Sequence, residues 1–460
     1  MDFSASNSSL WNPIIQVGVI AAVVLLANII RRKVPFIKKT MMPTAVLGGF
    51  LLLLLKYLNV IPFITAEFLE SMTYHALAFG FIAMSLRVPE KTQEKDKMIG
   101  SRSGALIVST YLVQVLIGLT ISILLALTIK PDFFKAGGIL LAMAYGQGPG
   151  QANNVGTTYE SLGMLGGQSF GLSLAAAGYL CACIVGVIFI NVYNKKGKLV
   201  RIKDKKIVSG SVTVDTFQDD NEIPVSESID KLSIQVALIC LLYLLTYLIT
   251  FGITELLAAI SPGLSKTVST LLWGFNFIVG SLVAVICRSL FSGLRNIKWM
   301  NRQYQNNYLL SRISGFAFDI MIVCGIASIS IEDLHGNWLP FILMAVLGGV
   351  GTFAYLLYMC KKLYPNYVYE GFFSMYGMLT GTISSGVLLL REIDPNMKTP
   401  AANNLITGSS FAIAFAIPLL ALITLAAEND LMTYISFGLV ILYFIALLLF
   451  IFKAGKRKRK

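Results

Sequence analysis

Long apolar runs dominate this chain of 460 residues and limit what it can fold into. Hydrophobic residues make up 56% of the sequence and charged residues only 13%, whereas soluble domains carry roughly 25% charged residues. An apolar helix needs about 20 residues to cross a bilayer. The runs therefore predict an all-α polytopic membrane protein with eleven spans, near 12–30, 41–58, 71–88, 104–129, 165–192, 232–255, 266–290, 309–331, 338–360, 400–427 and 431–453.

Two further apolar segments, 136–155 and 371–390, are interrupted by glycine or proline and share a motif. Tyr145-Gly146 and Gly150 in the first segment correspond to Tyr376-Gly377 and Gly381 in the second, 231 residues apart. Broken backbone at membrane depth persists only where protein or water satisfies it. We interpret both segments as re-entrant hairpins, and a matched pair of breaks in two halves indicates the binding site of a secondary transporter. Small residues that only let helices pack closely remain the alternative.

The charges between spans predict the topology. Basic loops belong in the cytoplasm, and here they follow the first, third, fifth, seventh, ninth and last spans. This alternation predicts an inverted-topology repeat of five transmembrane helices plus one hairpin per half. The divisions are 1–194 for the first repeat, 195–231 for a cytoplasmic linker, 232–430 for the second repeat, and 431–460 for an additional C-terminal span with a basic tail. The protein is then a multi-pass protein of the inner (plasma) membrane, with its N-terminus outside and its C-terminus in the cytoplasm.

The net charge of +13 fits attraction to the cytoplasmic face of the lipid bilayer, and no nucleic-acid partner is expected.

The hairpins indicate the kind of ligand. Helix N-termini carry partial positive charge and suit carboxylates, whereas backbone carbonyls suit a hard cation such as sodium. The candidate substrate-binding residues supply close backbone approach or polar side chains: Gly146, Gln147, Gly148, Gly150, Gln151, Asn153, Asn154, Gly377, Thr380, Gly381, Thr382, Ser384, Ser385 and Arg391.

Residues around the hairpins resemble those of the bacterial sodium/glutamate symporter family. The resemblance rests on Thr157-Thr158-Tyr159-Glu160 and Arg391-Glu392 after the hairpins, Ile82–Arg87 in the third span, and Asp319 with Ile326–Ser330 in the eighth. Gln147 and Pro149 stand where the family usually has histidine and threonine, and the second hairpin lacks the family's proline. The resemblance implies a homodimeric symporter that imports glutamate or a related small carboxylate by alternating access, with sodium as the coupling ion. It also implies ion-binding roles for Asp319, Ser328 and Glu160.

Several interpretations stay open at this point. Asp319 either binds a cation or pairs with Arg312, and Glu160 either faces a pore or lies at a solvated rim. Arg391 either binds a carboxylate or pairs with Glu392 or Asp394. A proton-coupled carrier is possible if Asp319 or Glu160 titrates, and an anion channel is a further rival. No enzyme activity and no cofactor other than sodium are expected, and the sodium ligands are not identified. We interpret His75 and His335 as solvated or capping residues near span ends.

Overall fold

A computed structural model describes residues 2–35, 37, 42–88, 98–196, 225–260, 269, 272–273, 276–300, 304–333, 336–394 and 399–454. This part of the chain is helical and contains no strand. The elements in chain order are α1 (Ser8–Lys33), α2 (Thr44–Tyr57), α3 (Ala66–Leu86), α4 (Ile99–Thr128), a 3-10 helix (Lys135–Ile139), α5 (Leu140–Tyr145), α6 (Pro149–Ser161), α7 (Gly167–Leu180), a π-helical turn (Cys181–Val185), α8 (Gly186–Lys195), α9 (Val225–Ile260), α10 (Asn276–Asn296), α11 (Asn307–Ala327), α12 (Trp338–Leu363), α13 (Val368–Thr380), α14 (Ile383–Ile393), α15 (Ala401–Glu428) and α16 (Asp430–Ala454).

Nine helices among the described residues are long and apolar enough to cross a membrane, and they coincide with nine of the eleven predicted spans. The predicted spans 41–58 and 71–88 do not meet that standard. The first corresponds to α2, whose 14 residues extend roughly 21 Å against a bilayer core of about 30 Å. The second corresponds to α3, which begins in the acidic sequence around Glu67. The fold class of a multi-pass, all-helical membrane protein is therefore confirmed.

Contacts divide the chain into two compact units. The first unit comprises Met1–Thr65, Glu94–Val208 and Gly325–Lys460, and the second comprises Ala66–Gln93 and Ser209–Cys324. Most of the predicted linker, 197–224, lies outside the described residues.

Helix α4 lies at the centre of the first unit, where α12, α15, α16 and the 3-10 helix pack around it. Its backbone comes very close to the 3-10 helix, since a Cβ added to Gly118 would lie 1.9 Å from the carbonyl oxygen of Gly138. Such close approach between small residues is typical of helix packing in membranes. The C-terminal helix α16 also belongs to this unit, because Arg102 donates from Nε to the carbonyl of Ile451 at 3.0 Å.

The second unit consists of α3, α9, α10 and most of α11. Its apolar core contains residues from all four helices: Ile82, Ala83, Leu86, Ile239, Leu242, Ala284 and Leu310. Arg288 donates to the carbonyls of Ser85 and Arg87, at 3.1 and 3.0 Å. A cation at this position complements the negative end of the α3 dipole, so the bond fixes α10 against the C-terminus of α3.

Candidate functional site: two broken helices that meet

The first predicted hairpin contains a helix that stops and restarts. Helix α5 ends at Tyr145 and α6 begins at Pro149. Gly148 has φ of +90°, a conformation that residues with a Cβ rarely adopt. Proline fits the first position of a helix because the N–H that it lacks would have no helical partner there. Local sequence alone therefore forces the break, and we call residues 146–148 the first tip.

The chain reverses direction at the first tip. A Cβ added to Gly171 of α7 would lie 3.4 Å from Cδ2 of Leu140 and 2.8 Å from the carbonyl oxygen of Ala152. Leu140 precedes the tip and Ala152 follows it. On one continuous helix, twelve residues would separate them by roughly 18 Å. Both approach the same point on α7 because α5 and α6 fold back beside each other.

The second predicted hairpin also contains two helices joined by a short break. Helix α13 ends at Thr380 and α14 begins at Ile383, so residues 381–382 form the second tip. The two helices run back along each other, because a Cβ added to Gly377 would lie 2.8 Å from Cα of Gly386. The shared motif predicted that Gly377 would match Gly146 at the break. Helix α13 instead continues through Gly377 for another turn, since no proline stops it and the glycine packs against α14.

The two tips lie in contact within the first unit. A Cβ added to Gly148 would lie 3.7 Å from the carbonyl oxygen of Gly381 and 3.8 Å from Cγ2 of Thr382. Helix α7 supports this region, because a Cβ on Gly178 would lie 2.3 Å from the carbonyl oxygen of Thr380. Two segments that lie more than 230 residues apart in sequence are thereby brought together.

Buried polar atoms that have no hydrogen-bond partner among the described residues gather at the tips. They are Nε2 of Gln147 and Oε1 of Gln151 from the first hairpin, with Oγ1 of Thr382 and Oγ of Ser385 from the second. Gln151 is 1% exposed and Ser385 is 2% exposed. A buried polar group that lacks a partner costs about 1–3 kcal/mol, and such groups in native structures commonly mark functional sites. These four atoms give the tips both donors and acceptors for a small polar ligand.

The backbone at the tips adds charge of both signs. Helices α6 and α14 begin there, with Gly148 and Thr382 as N-caps, and neither N-terminus is capped by a side-chain hydrogen bond. Their first N–H groups carry partial positive charge and suit an anion. Helices α5 and α13 end at the same place and present carbonyl oxygens, which suit a cation. The arrangement resembles the discontinuous helices of secondary transporters in its chemistry.

Sequence reasoning missed Gln114, which holds the second tip from α4. Its Nε2 donates to the carbonyl of Leu379 at 2.8 Å and to Oγ1 of Thr352 at 3.0 Å, and the side chain is fully buried. Its Oε1 has no hydrogen-bond partner in the part of the chain that the structure describes. A strongly polar residue in the middle of a 30-residue apolar helix was the available signal, because such residues are expensive in membranes and are typically functional.

The predicted substrate residues divide into three groups. Those at or beside the tips are Gly146, Gln147, Gly148, Gly150, Gln151, Thr380, Gly381, Thr382 and Ser385. Asn153, Asn154 and Gly377 lie about one helical turn or more from the tips, on α6 and α13. Asn153 accepts from Nε2 of Gln168 at 2.8 Å, and Oγ1 of Thr158 donates to the Asn154 carbonyl at 2.8 Å. The side chains of Ser384 and Arg391 lie outside the described residues, although both backbones belong to α14.

Two of the predicted ion-binding residues, Ser328 and Glu160, lie in the first unit. Ser328 donates to the carbonyl of Gly325 at 3.0 Å, and Lys56 occupies the neighbouring carbonyl of Ala327 at 3.3 Å. Glu160 lies in the last turn of α6, eleven residues from its start and so roughly 16 Å along the helix. Among the described residues, no group of three or more histidine, cysteine, aspartate or glutamate side chains could hold a metal ion.

Asp319 lies in the second unit, on an exposed face of α11. Its proposed partner Arg312 lies instead over the ring of Tyr308, with 5.0 Å from the guanidinium carbon to the ring centroid. These two described side chains form no ion pair. The contacts therefore give no support to the structural pairing, and the cation-binding role of Asp319 stays a prediction.

Two lysines flank the entry to the first hairpin. Lys130 donates to the Gly336 carbonyl and to Oδ1 of Asn337, while Lys135 forms an ion pair with Asp430. Burial lowers the pKa of the Lys130 ammonium, against the opposing influence of the Asp132 carboxylate. Both lysines therefore join the hairpin entry to distant helices.

Comparison of the chain with protein-family models and with curated proteins finds no match. The resemblance to sodium/glutamate symporters rests on the motifs quoted above.

Proposed function

We propose that this protein is a secondary transporter that imports a small carboxylate by alternating access. The observation that carries the proposal is the meeting of two broken helices, whose tips place four unpartnered buried polar atoms around two uncapped helix N-termini. A pair of discontinuous helices at the repeat interface is the usual substrate site of such transporters. Glutamate or a closely related carboxylate is the substrate that the family resemblance favours.

Sodium is the proposed coupling ion. The carbonyl ends of α5 and α13 offer oxygen ligands beside the anion site, and a bound cation there would attract the substrate carboxylate. Each hairpin is proposed to close the site towards one side of the membrane. The homodimeric state and the orientation of the termini are further parts of this proposal.

The proposal is tested by uptake into proteoliposomes. Labelled amino acids and dicarboxylic acids are offered with and without an inward sodium gradient, and with a proton gradient alone. We expect saturable accumulation of a dicarboxylic amino acid that requires sodium. Accumulation driven by protons alone would replace sodium as the coupling ion. Conductance far above transporter turnover would indicate a channel, and the absence of saturable carboxylate uptake would contradict the proposal.

Two serines on the second hairpin allow a test of whether transport depends on a ligand bound at the tips. Ser385 has an unpartnered hydroxyl at the tip, whereas the equally buried Ser374 already donates to the carbonyl of Gly371 at 3.0 Å. Ser385→Ala removes a potential bond to a charged ligand, and such bonds contribute about 1.5–3 kcal/mol. The KM for substrate or sodium should then rise roughly tenfold or more. Ser374→Ala is the matched control, and equal effects of the two changes would argue against a ligand at the tip.

A further inference from the structure

Three side chains in the second unit form a continuous polar chain across three helices. Nδ1 of His75 on α3 lies 2.7 Å from the hydroxyl of Tyr243 on α9, and Nδ2 of Asn276 on α10 donates to that hydroxyl at 3.2 Å. Asn276 is 4% exposed, and its Oδ1 is buried without a hydrogen-bond partner among the described residues. Helix α3 extends from Ala66 to Leu86, so His75 lies near the middle of the helix.

The direction of these hydrogen bonds corresponds to one protonation state of the His75 ring. Because the Asn276 amide donates to the Tyr243 oxygen, the phenolic proton is free to point at the histidine. Nδ1 of His75 must then accept, which requires a neutral ring with its proton on Nε2. In this state the carbonyl oxygen of the Asn276 amide receives nothing, and burying it unpartnered is costly.

The chain also accommodates one added proton. When a proton from water adds to Nδ1 of His75, that nitrogen becomes a donor and the Tyr243 oxygen becomes its acceptor. The phenolic proton can then turn towards Asn276. A half-turn of the amide, which hardly changes its shape, presents Oδ1 to that proton. The Asn276 oxygen, which lacks a partner in the neutral state, then gains a donor, and both hydrogen bonds of the chain reverse.

We infer that His75, Tyr243 and Asn276 form a proton-binding site, and that its occupancy makes uptake depend on pH. The site goes beyond the proposed carboxylate and sodium site at the tips, because it belongs to the other unit. The His75 side chain lies at the surface of this unit, whereas Asn276 is buried. The ring of His75 packs edge-on against both Tyr74 and Tyr243, which fixes the orientation of Nδ1.

The four helices of this unit carry other titratable and charged side chains besides His75. On α3, Glu70 lies five residues earlier, and on α9 the neighbouring titratable side chain is Tyr247, one turn from Tyr243. On α10, Arg288 lies twelve residues beyond Asn276 and is bonded to the C-terminus of α3. Helix α11 carries Arg312, which lies over Tyr308, and Asp319, which follows a phenylalanine packed on Gly80. Tyrosine and arginine do not change charge between pH 5 and 8 in ordinary circumstances.

The chain contains two histidines, so one substitution makes His75 the single imidazole in the protein. His335→Gln is prepared in full-length protein with ¹⁵N-labelled histidine and reconstituted in lipid. NMR of the ring nitrogens then reports the state of His75 directly. We expect an Nε2–H tautomer at high pH and a doubly protonated ring after titration between pH 8 and 5. A ring that stays neutral across this range would overturn the proton-binding site, whatever the transport measurements show.

Two variants show whether the contact between Tyr243 and His75 contributes to proton binding or is only structural. Tyr243→Phe removes the acceptor for the protonated ring, and bonds to charged groups are worth more than neutral ones. The ratio of protonated to neutral His75 at pH 6 should then fall roughly tenfold. Tyr247→Phe, one turn away with only ring contacts, is the control and should leave that fraction unchanged. Equal protonation in both variants would exclude the relay through Tyr243.

A separate measurement tests whether the proton-binding site controls transport. His75→Asn keeps a hydrogen-bonding atom at the δ position and removes the titration. In proteoliposomes its uptake should lose the pH dependence that the parent chain and the His335→Gln variant share between pH 5 and 8. An unchanged pH profile would exclude control of uptake by this site. Because the NMR titration needs no transport, failure of the proposed function and failure of the proton site are distinguishable.

Discussion

The two broken helices meet at their tips, but different physical causes break them. In the first, Pro149 and the positive φ of Gly148 determine the break locally. In the second, Thr382 is extended, no proline is present, and the second tip is held by the bond from Gln114 to the carbonyl of Leu379. The covalent geometry of the chain therefore fixes the first tip, whereas the second depends on its neighbours. We expect the second tip to move more easily during transport.

The largest effect is expected from Gly148→Val. A β-branched residue at φ of +90° is strained by about 1–3 kcal/mol, and the added side chain would extend towards the second tip. Uptake should fall by a factor of about 30 or more while the protein still inserts into the membrane. Gly163 is the matched control, because its φ is +106° but a Cβ there would meet nothing within 4 Å. If Gly163→Val lost as much uptake, backbone strain alone would explain the result.

The next largest effect is expected from loss of the hydrogen bond that holds the second tip. Gln114→Leu leaves the buried Leu379 carbonyl without its donor, which should cost about 1–3 kcal/mol in the free energy of unfolding. We expect a lower thermal unfolding midpoint and uptake reduced roughly tenfold. Thr352→Val removes only the other bond of Gln114 and should change both quantities much less. Equal losses in the two variants would show that the bond between α4 and α12 is what matters.

These particulars show which parts the sequence allowed us to predict. Apolar runs predicted nine of the membrane-crossing helices, because length and composition decide that property. Glycine and proline predicted that both hairpins would break, and the first break lies where Pro149 requires it. The second break was displaced by a turn, since packing of Gly377 against Gly386 is a tertiary contact. The meeting of the tips and the bond from Gln114 join distant segments, which no local pattern in one sequence reveals.

A smaller effect is expected when a proline is introduced after the second tip, at the position that Pro149 occupies after the first. Ile383→Pro places proline at the first position of α14, as Pro149 stands in α6. Thr382 has φ of −142° and ψ of 172°, which is the conformation that a following proline favours. The variant should fold, because the site is compatible, and the stiffer tip should slow maximal uptake about threefold with KM changed less than twofold. An unchanged maximal rate would contradict the expected mobility of the second tip. Ile383→Ala controls for the lost side chain.

The smallest effect distinguishes the two tyrosines of the repeated motif. The hydroxyl of Tyr145 donates to the Ala345 carbonyl on α12 at 2.7 Å, whereas the hydroxyl of Tyr376 is buried without a hydrogen-bond partner in the described part of the chain. Tyr145→Phe should lower the free energy of unfolding by about 1 kcal/mol, and Tyr376→Phe by less than about 0.3 kcal/mol, because it removes no bond. Thermal unfolding of the two purified variants in one detergent measures the difference. A larger loss in Tyr376→Phe would reverse the comparison, because a hydroxyl that stabilises the protein must have a partner. That partner would then be a bound ligand or a group that reaches Tyr376 in another conformation of the second hairpin, and measuring the loss with and without substrate would separate the two.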